Sequence, residues 1–185
     1  WRRHLHPQDD GIYLMDMDSG QHNLVLSLQQ LSELNQDSSM EGKKQWFNHL
    51  LFNPTGERFI FLHRWPTEDG RSFQTRLCTA NTDGSEIFVS SLKMGSHFIW
   101  YDNTHILIWG TSKQYGSAYH LIEDLTDNME VVGKGLLVED GHCTVSQDKS
   151  WLLTDQYPDR DGNRPLILFD IEQGQRFDLG NFHAD

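Results

Sequence analysis

Short apolar runs recur along this chain, and turn sequences separate most of them. The stretch NHLLFNPTGERFIFLHRW (48–65) shows the basic unit, because two apolar runs flank the turn NPTG (53–56). Pro presets φ in such a turn, and Gly accepts the positive φ that other residues avoid. The pattern therefore predicts a β-hairpin with two buried strands. His49 lies near the start of the first strand, and His63 lies at the end of the second.

Two kinds of turn alternate along the chain and share one period. Markers of the first kind are Gly56, Asn103 and Lys149, and markers of the second kind are Gly84, Asn128 and Gly174. The first set recurs at intervals of 47 and 46 residues, and the second at intervals of 44 and 46 residues. A period shared by two independent sets of turns indicates an internal structural repeat.

Each period contains four short runs that are apolar or alternate between apolar and polar residues. The runs are 47–52, 58–63, 73–80 and 86–90, then 97–101, 105–110, 117–123 and 129–132, then 142–146, 151–155, 165–170 and 175–179. Four antiparallel strands in a repeat of this length are typical of a β-propeller blade. A β-sandwich also has short strands at close spacing, but nothing in that fold requires a constant repeat. The pattern predicts an all-β chain, a β-propeller built of four-stranded antiparallel blades.

The repeat divides the chain into five segments of one propeller domain. They are the outer half of a blade (1–26), a polar, partly helical insertion between blades (27–45), and three blades (46–92, 93–138 and 139–185). Leucines at 28, 31 and 34 give the insertion its helical spacing, and a disordered linker is the alternative. These three and a half blades would form only part of a ring. An open blade face exposes apolar surface, so either further blades or self-association would have to cover it, and we expect further blades.

Composition narrows the classes of function. The 185 residues carry a formal net charge of -12, which disfavours a nucleic-acid binder because such proteins need a basic surface. No apolar run approaches 18 residues, so the sequence predicts no membrane span, and it leaves a cytoplasmic or periplasmic location open. Cys78 and Cys143 lie far apart without a zinc-binding spacing, which favours two reduced core thiols over a disulfide.

Histidines occupy one position of the first strand in each predicted blade. The aligned stretches FNHLLFNP, GSHFIWYD and DGHCTVSQ place His49, His97 and His142 at intervals of 48 and 45 residues. First strands line the channel of a propeller, so the three imidazoles are predicted to converge on one axial pocket. Imidazoles there could hold a borderline divalent metal or transfer protons near neutral pH. The alternative is that each histidine only bonds to a neighbouring backbone group.

Further charged residues follow the histidines at the strand ends. His63, Arg64 and Arg76 could recognise an acidic substrate, because arginine pairs with carboxylates through two parallel hydrogen bonds. The two arginines are equally plausible as exposed charges at strand ends. The stretch DQYPDRDGNR (155–164) resembles a calcium loop but lacks the glutamate that such a loop needs at its twelfth position. A connecting loop is therefore the favoured interpretation.

These residues together resemble a known family. The stretches NHLLFNPTGERFIFLHRWP, RLCTANTDG, SHFIW and GHCTVSQD are similar in order and spacing to the blades of oligogalacturonate lyases, over roughly residues 46 to 180. TolB-like propellers share the H-x-x-F-x-P-x-G pattern of the first hairpin. The resemblance implies a seven-bladed propeller that holds a divalent ion such as Mn²⁺ and cleaves pectic oligosaccharides by β-elimination.

The resemblance also implies roles for individual residues. His49 corresponds to a catalytic histidine and His97 to a metal ligand, and His63, Arg64 and Arg76 would lie near the acidic oligosaccharide. The repeated blade position, rather than the resemblance, makes His142 a second candidate metal ligand. FLHRWP replaces the family's HEGP-like segment, and the further metal ligands, a Gln and a His-x-His pair, have no counterpart in these residues. The alternative function is a non-enzymatic TolB-like propeller that binds a protein or sugar ligand in its channel.

Overall fold

The computed structural model describes residues 4–126 and 128–183. The chain divides into two compact units, residues 1–90 and 91–185, and each is described by itself. The ends of the predicted first and last segments, residues 1–3 and 184–185, lie outside the described residues, as does residue 127.

The first unit begins with a hairpin followed by two short helical segments. Strands β1 (Gly11–Met15) and β2 (His22–Ser27) pair antiparallel, and helix α1 (Leu28–Glu33) and a 3₁₀ turn (Ser38–Met40) follow. Ser27 starts α1 because its hydroxyl accepts the backbone N–H of Gln30, and the Gln30 side chain accepts the backbone N–H of Ser27 in return. The predicted insertion is therefore partly helical.

A four-stranded antiparallel sheet completes the first unit. Its strands follow chain order: β3 (Trp46–Phe52), β4 (Arg58–Pro66), β5 (Phe73–Asn81) and β6 (Phe88–Val89). The core joins this sheet to the hairpin and to α1 through Ile12, Leu26, Leu31, Phe59, Phe61, Cys78 and Ala80. Gly84, at a φ of 83°, lies so close to Val25 that a Cβ would meet the Val25 carbonyl oxygen. Glycine is therefore required where this turn meets the hairpin.

The second unit contains two four-stranded antiparallel sheets, again in chain order. One comprises β7 (Met94–Trp100), β8 (His105–Ser112), β9 (Gly116–Glu123) and β10 (Met129–Val132). The other comprises β11 (Cys143–Val145), β12 (Trp151–Asp155), β13 (Asn163–Asp170) and β14 (Gln175–His183). Both sheets contribute to one core: Leu107, Trp109, Tyr119, Leu137, Cys143, Leu152, Ile167 and Phe169.

The predicted fold class is confirmed as all-β, with the blades of a partial propeller. Each four-stranded sheet is an up-and-down meander in which chain neighbours pair, whereas a Greek-key sandwich would need longer connections between strands. Strands β1 and β2 form a separate two-stranded sheet, and their assignment to the outer half of a blade stays a prediction. The count of seven blades stays a prediction.

Two further sequence expectations concern cysteines and exposed surface. Cys78 and Cys143 are buried free thiols, as predicted, and burial raises the pKa of each to about 12. Among the described residues, no helix is long and apolar enough to cross a membrane. Large apolar side chains are exposed in each unit, including Leu50 and Phe52 in the first and Leu179 and Phe182 in the second. Self-association through such faces stays a prediction.

Candidate functional site

The second unit brings two of the predicted histidines together. His97 belongs to β7, and His142 directly precedes β11 in the neighbouring sheet. Their ring centroids lie 4.1 Å apart with an interplanar angle of 52°. The predicted convergence of blade-start histidines is therefore observed for this pair.

An aspartate holds each of these imidazoles by Nδ1. The Nδ1 of His97 lies 3.0 Å from Asp140 Oδ1, and the Nδ1 of His142 lies 3.1 and 3.0 Å from the two carboxylate oxygens of Asp155. A carboxylate acceptor favours the tautomer with a proton on Nδ1, which leaves Nε2 free to accept a proton. The pair thus consists of two carboxylate-oriented bases side by side.

A tyrosine completes the cluster. Tyr157 places its hydroxyl 3.4 Å from His97 Nε2, and its ring centroid lies 5.7 Å from that of His97 and 6.1 Å from that of His142. Tyr157 is 55% exposed, whereas the His97 side chain is only 17% exposed. Asp140, His97 and Tyr157 therefore form a chain of polar contacts from a half-buried carboxylate to an exposed phenol. We call these three residues, with His142 and Asp155, the imidazole-pair cluster.

Buried residues next to the cluster hold His142 and Asp155 in position. Tyr119 on β9 is fully buried. Its hydroxyl donates a hydrogen bond to the Gly141 carbonyl at 2.9 Å and lies 2.8 Å from the Thr154 hydroxyl, where either group can be the donor. Gly141 and Thr154 are the residues that immediately precede His142 and Asp155. A Cβ on Gly141 would meet the Asp155 carbonyl oxygen, so a larger residue there would push His142 away from its carboxylate. Burial raises the pKa of Tyr119, so its hydroxyl stays protonated and keeps its hydrogen bonds to Gly141 and Thr154.

A bulge in the first strand presents the histidine in two blades. The β7–β8 register shifts between Gly95 and Phe98, around His97, and the β3–β4 register shifts between Asn48 and Leu51, around His49. Bulges re-aim side chains at the edges of functional sites. His49 is exposed at a φ of 54° and belongs to the first unit. Its convergence with the other two imidazoles, and its catalytic role, stay predictions.

His63 and Arg76 form a buried pair in the first unit. His63 is fully buried, and Arg76 is 6% exposed. The guanidinium donates from Nε to His63 Nδ1 at 2.9 Å, and its other nitrogens donate to the carbonyls of Leu31, Leu34 and Asn35 at 2.6 to 3.0 Å. Arg76 is therefore not the exposed strand-end charge left open as an alternative, because it binds the C-terminal end of α1. A role for this pair in substrate binding stays a prediction.

Acid should destabilise the protein through His63. Burial, together with the nearby charge of Arg76, lowers the pKa of His63 to about 3 in the folded state, against 6.5 for the ordinary group. The unfolded chain therefore binds the extra proton first, and stability is lost as the pH falls below 6.5 towards 3. Between pH 7 and pH 5 the loss from this group is about 2 kcal/mol. Urea denaturation of the wild type and of His63→Gln at both pH values measures it.

The wild type and His63→Gln have the same carboxylates. The difference between their losses of unfolding free energy from pH 7 to pH 5 is therefore due to His63. We expect the fall in stability from pH 7 to pH 5 to be smaller in His63→Gln by about that amount. An equal fall in both proteins would contradict the assignment of a neutral, buried His63.

Arg64 and the loop 155–164 are the remaining candidates from the sequence. Arg64 is half-buried, and its guanidinium carbon lies 4.4 Å from the centroid of the Phe73 ring. Its role in substrate binding stays a prediction. In the loop 155–164, Asp159 accepts the backbone N–H groups of Asp161 and Asn163 at 2.9 Å. The carboxylate closes the loop on itself, which fits the connecting loop favoured from the sequence.

Sequence reasoning missed three members of the imidazole-pair cluster. Asp140 lies two residues before His142, and Asp155 and Tyr157 open the stretch interpreted only as a connecting loop. The sequence could have indicated Asp140, because this residue belongs to the same predicted blade start as His142. No sequence pattern indicated Asp155 and Tyr157. They come beside His142 because Cys143 pairs with Thr154, which places the end of β12 next to the start of β11.

The predicted metal site lacks a third ligand in the described part of the chain. His97 and His142 supply two imidazoles, and no group of three or more His, Cys, Asp or Glu side chains among the described residues is arranged to hold a metal ion. A structural or catalytic zinc site uses at least three protein ligands. The donor set therefore does not fit such an ion by itself, and Mn²⁺ binding stays a prediction from the resemblance.

Comparison with known proteins gives a likeness of fold. No protein-family profile matches this sequence, and no curated protein matches it either. Among solved structures, the chain is similar to the crystal structure of TolB from Acinetobacter baumannii, with a TM-score of 0.47 and 17% identity. The match covers 97% of this chain and 46% of that one, so this chain spans about half of that protein's length.

Proposed function

We propose that the imidazole-pair cluster is a proton-transfer site that cleaves uronic-acid oligosaccharides by β-elimination. One observation carries the proposal: two carboxylate-oriented imidazoles lie 4.1 Å apart, and the hydroxyl of an exposed tyrosine lies 3.4 Å from one of them. Such groups are the usual acids and bases of enzymes near neutral pH. The substrate class comes from the resemblance to oligogalacturonate lyases.

The first step activates the tyrosine. His97 Nε2 accepts the phenolic proton of Tyr157, and Asp140 at Nδ1 stabilises the imidazolium that results. The Tyr157 oxygen then removes the proton at C5 of the uronic sugar. The C5–H electron pair forms the C4=C5 double bond, and the C4–O4 bond breaks. The phenol gives this proton to the departing O4 oxygen, and the His97 imidazolium returns its own proton to the Tyr157 oxygen. One proton thus moves from C5 to O4 overall, and both side chains return to their starting state.

His142 has a different role from His97. The His142 side chain is 59% exposed and is held by Asp155. With its proton on Nδ1 facing Asp155, His142 can accept a hydrogen bond from a sugar hydroxyl at Nε2 and hold the substrate beside Tyr157.

Turnover by the purified protein tests the proposal. We expect oligogalacturonate to give the ultraviolet absorbance of an unsaturated uronide, and His97→Gln to abolish most of the rate. His105→Gln is the matched control, because His105 also contacts an aspartate through Nδ1, at 3.0 Å from Asp102, but lies at the start of β8 outside the cluster. Absence of the unsaturated product, or equal loss in both variants, would defeat the proposal.

A second candidate is sugar binding without turnover. The exposed Tyr157 ring, beside polar groups that can bond to hydroxyls, suits the stacking of a sugar face. Saturable oligosaccharide binding by a protein that forms no unsaturated product, with affinity lost in Tyr157→Ala, would favour this function.

A further inference from the structure

The first unit contains a large polar groove apart from the imidazole-pair cluster. Its volume is about 1400 Å³, and the N-terminal segment before β1, the helix α1 and the residues up to Gln45 line it. Four carboxylates contribute to the lining: Asp9, Glu33, Asp37 and Glu41. No lysine or arginine is among the described residues that line it. Apart from His4 and His6, the ionisable side chains of the described lining are therefore all carboxylates.

A buried acceptor in the lining points to a ligand that donates hydrogen bonds. Gln45 is 1% exposed, and its side-chain oxygen has no hydrogen-bond partner among the described residues. An unsatisfied buried acceptor costs free energy unless a donor reaches it. His6, which also lines the groove, has a buried Nδ1 without a partner in the same part of the chain.

We infer that this groove binds a basic peptide segment through lysine or arginine side chains. Ammonium and guanidinium groups carry positive charge and only donate, so they complement both the carboxylates and the Gln45 oxygen. The volume exceeds the roughly 300–1,000 Å³ of typical small-ligand sites, which favours an extended chain.

Other ligand classes fit the groove less well. No Phe, Tyr or Trp ring is among its described lining residues, so a sugar would lack a stacking surface. The carboxylates do not gather into a group that could hold a metal ion, within the described residues. Carboxylates spaced along the groove complement cationic side chains spaced along a peptide.

Two carboxylates allow a clean test of the charge. Glu33 accepts a hydrogen bond from the Gln29 side chain at 2.8 Å, and glutamine at this position retains an acceptor. Glu33→Gln with Glu41→Gln therefore removes two charges with little structural change. Glu57→Gln with Glu172→Gln removes two exposed charges outside the groove and is the matched control.

Calorimetric titration with the peptide acetyl-Lys-Gly-Lys-Gly-Lys-amide at low ionic strength tests the inference. We expect saturable, sub-millimolar binding that weakens about tenfold in the groove variant and is unchanged in the control. Spermidine, with the same charge, should bind more weakly because it offers no extended backbone. No binding, equal binding by the groove variant, or equal binding of spermidine would overturn the inference.

Gln45→Met provides a readout that a purely structural role would not give. Removing an unsatisfied acceptor should leave the melting temperature unchanged or raised. If the Gln45 oxygen receives a donor from the peptide, the same substitution should weaken binding by about threefold or more. Lower stability with unchanged affinity would contradict a ligand-facing role for this side chain.

Discussion

Tyr157→Phe is expected to lower the turnover of a uronic oligosaccharide by about 10²- to 10⁴-fold, the usual contribution of one general acid–base group. The substitution removes the hydroxyl that lies 3.4 Å from His97 Nε2 and keeps the ring. Because Tyr157 is 55% exposed, the free energy of unfolding should stay within about 0.5 kcal/mol of the wild-type value. The initial rate of unsaturated product formation measures the effect.

Binding separates proton transfer from positioning in that variant. The phenyl ring can still stack on a sugar, so the affinity of Tyr157→Phe for the oligosaccharide should stay near that of the wild type. Equal losses of affinity and turnover would indicate that Tyr157 only binds the substrate. Wild-type turnover in Tyr157→Phe would remove the tyrosine from the mechanism.

Arg76→Ala is expected to destabilise the protein by about 3–5 kcal/mol. Four hydrogen bonds are lost at once, and three of their acceptors are carbonyls at the end of α1. This six-residue helix is too short to persist without tertiary support, and a buried cation at its C-terminus complements its dipole. Urea denaturation gives the free energy, and hydrogen exchange of the α1 amides reports local opening.

Two further variants control for charge and for shape. Arg71 is exposed in the hairpin loop between β4 and β5, so Arg71→Ala should change stability by less than about 0.5 kcal/mol. Arg76→Lys keeps the charge but cannot direct four donors at fixed angles, and should recover less than half of the loss. An Arg76→Ala protein as stable as Arg71→Ala would contradict the role of this residue in holding the insertion.

Local patterns predicted the blades because their causes are local. The turn at 53–56 and the flanking apolar runs specify β3 and β4, and the constant period specifies the other sheets in the same way. Alternation of apolar residues and turn chemistry are enough for these features.

Contacts between distant residues account for what the sequence did not reveal. The charge and position of Arg76 suggested a substrate ligand, yet its guanidinium bonds to carbonyls more than forty residues away along the chain. Likewise, Tyr157 lies in a polar loop, and only the packing of two sheets sets its hydroxyl beside His97. Such pairings depend on tertiary structure, and no periodicity in one sequence encodes them.

The state of the two imidazoles is the most direct test of the account, and ¹⁵N-edited NMR of the histidine side chains measures it. We predict that neutral His97 and His142 both carry their proton on Nδ1, facing Asp140 and Asp155, and that Tyr157→Phe shifts the Nε2 resonance of His97. A proton on Nε2 of His97, or a His97 spectrum indifferent to both Tyr157→Phe and His142→Gln, would contradict the cluster.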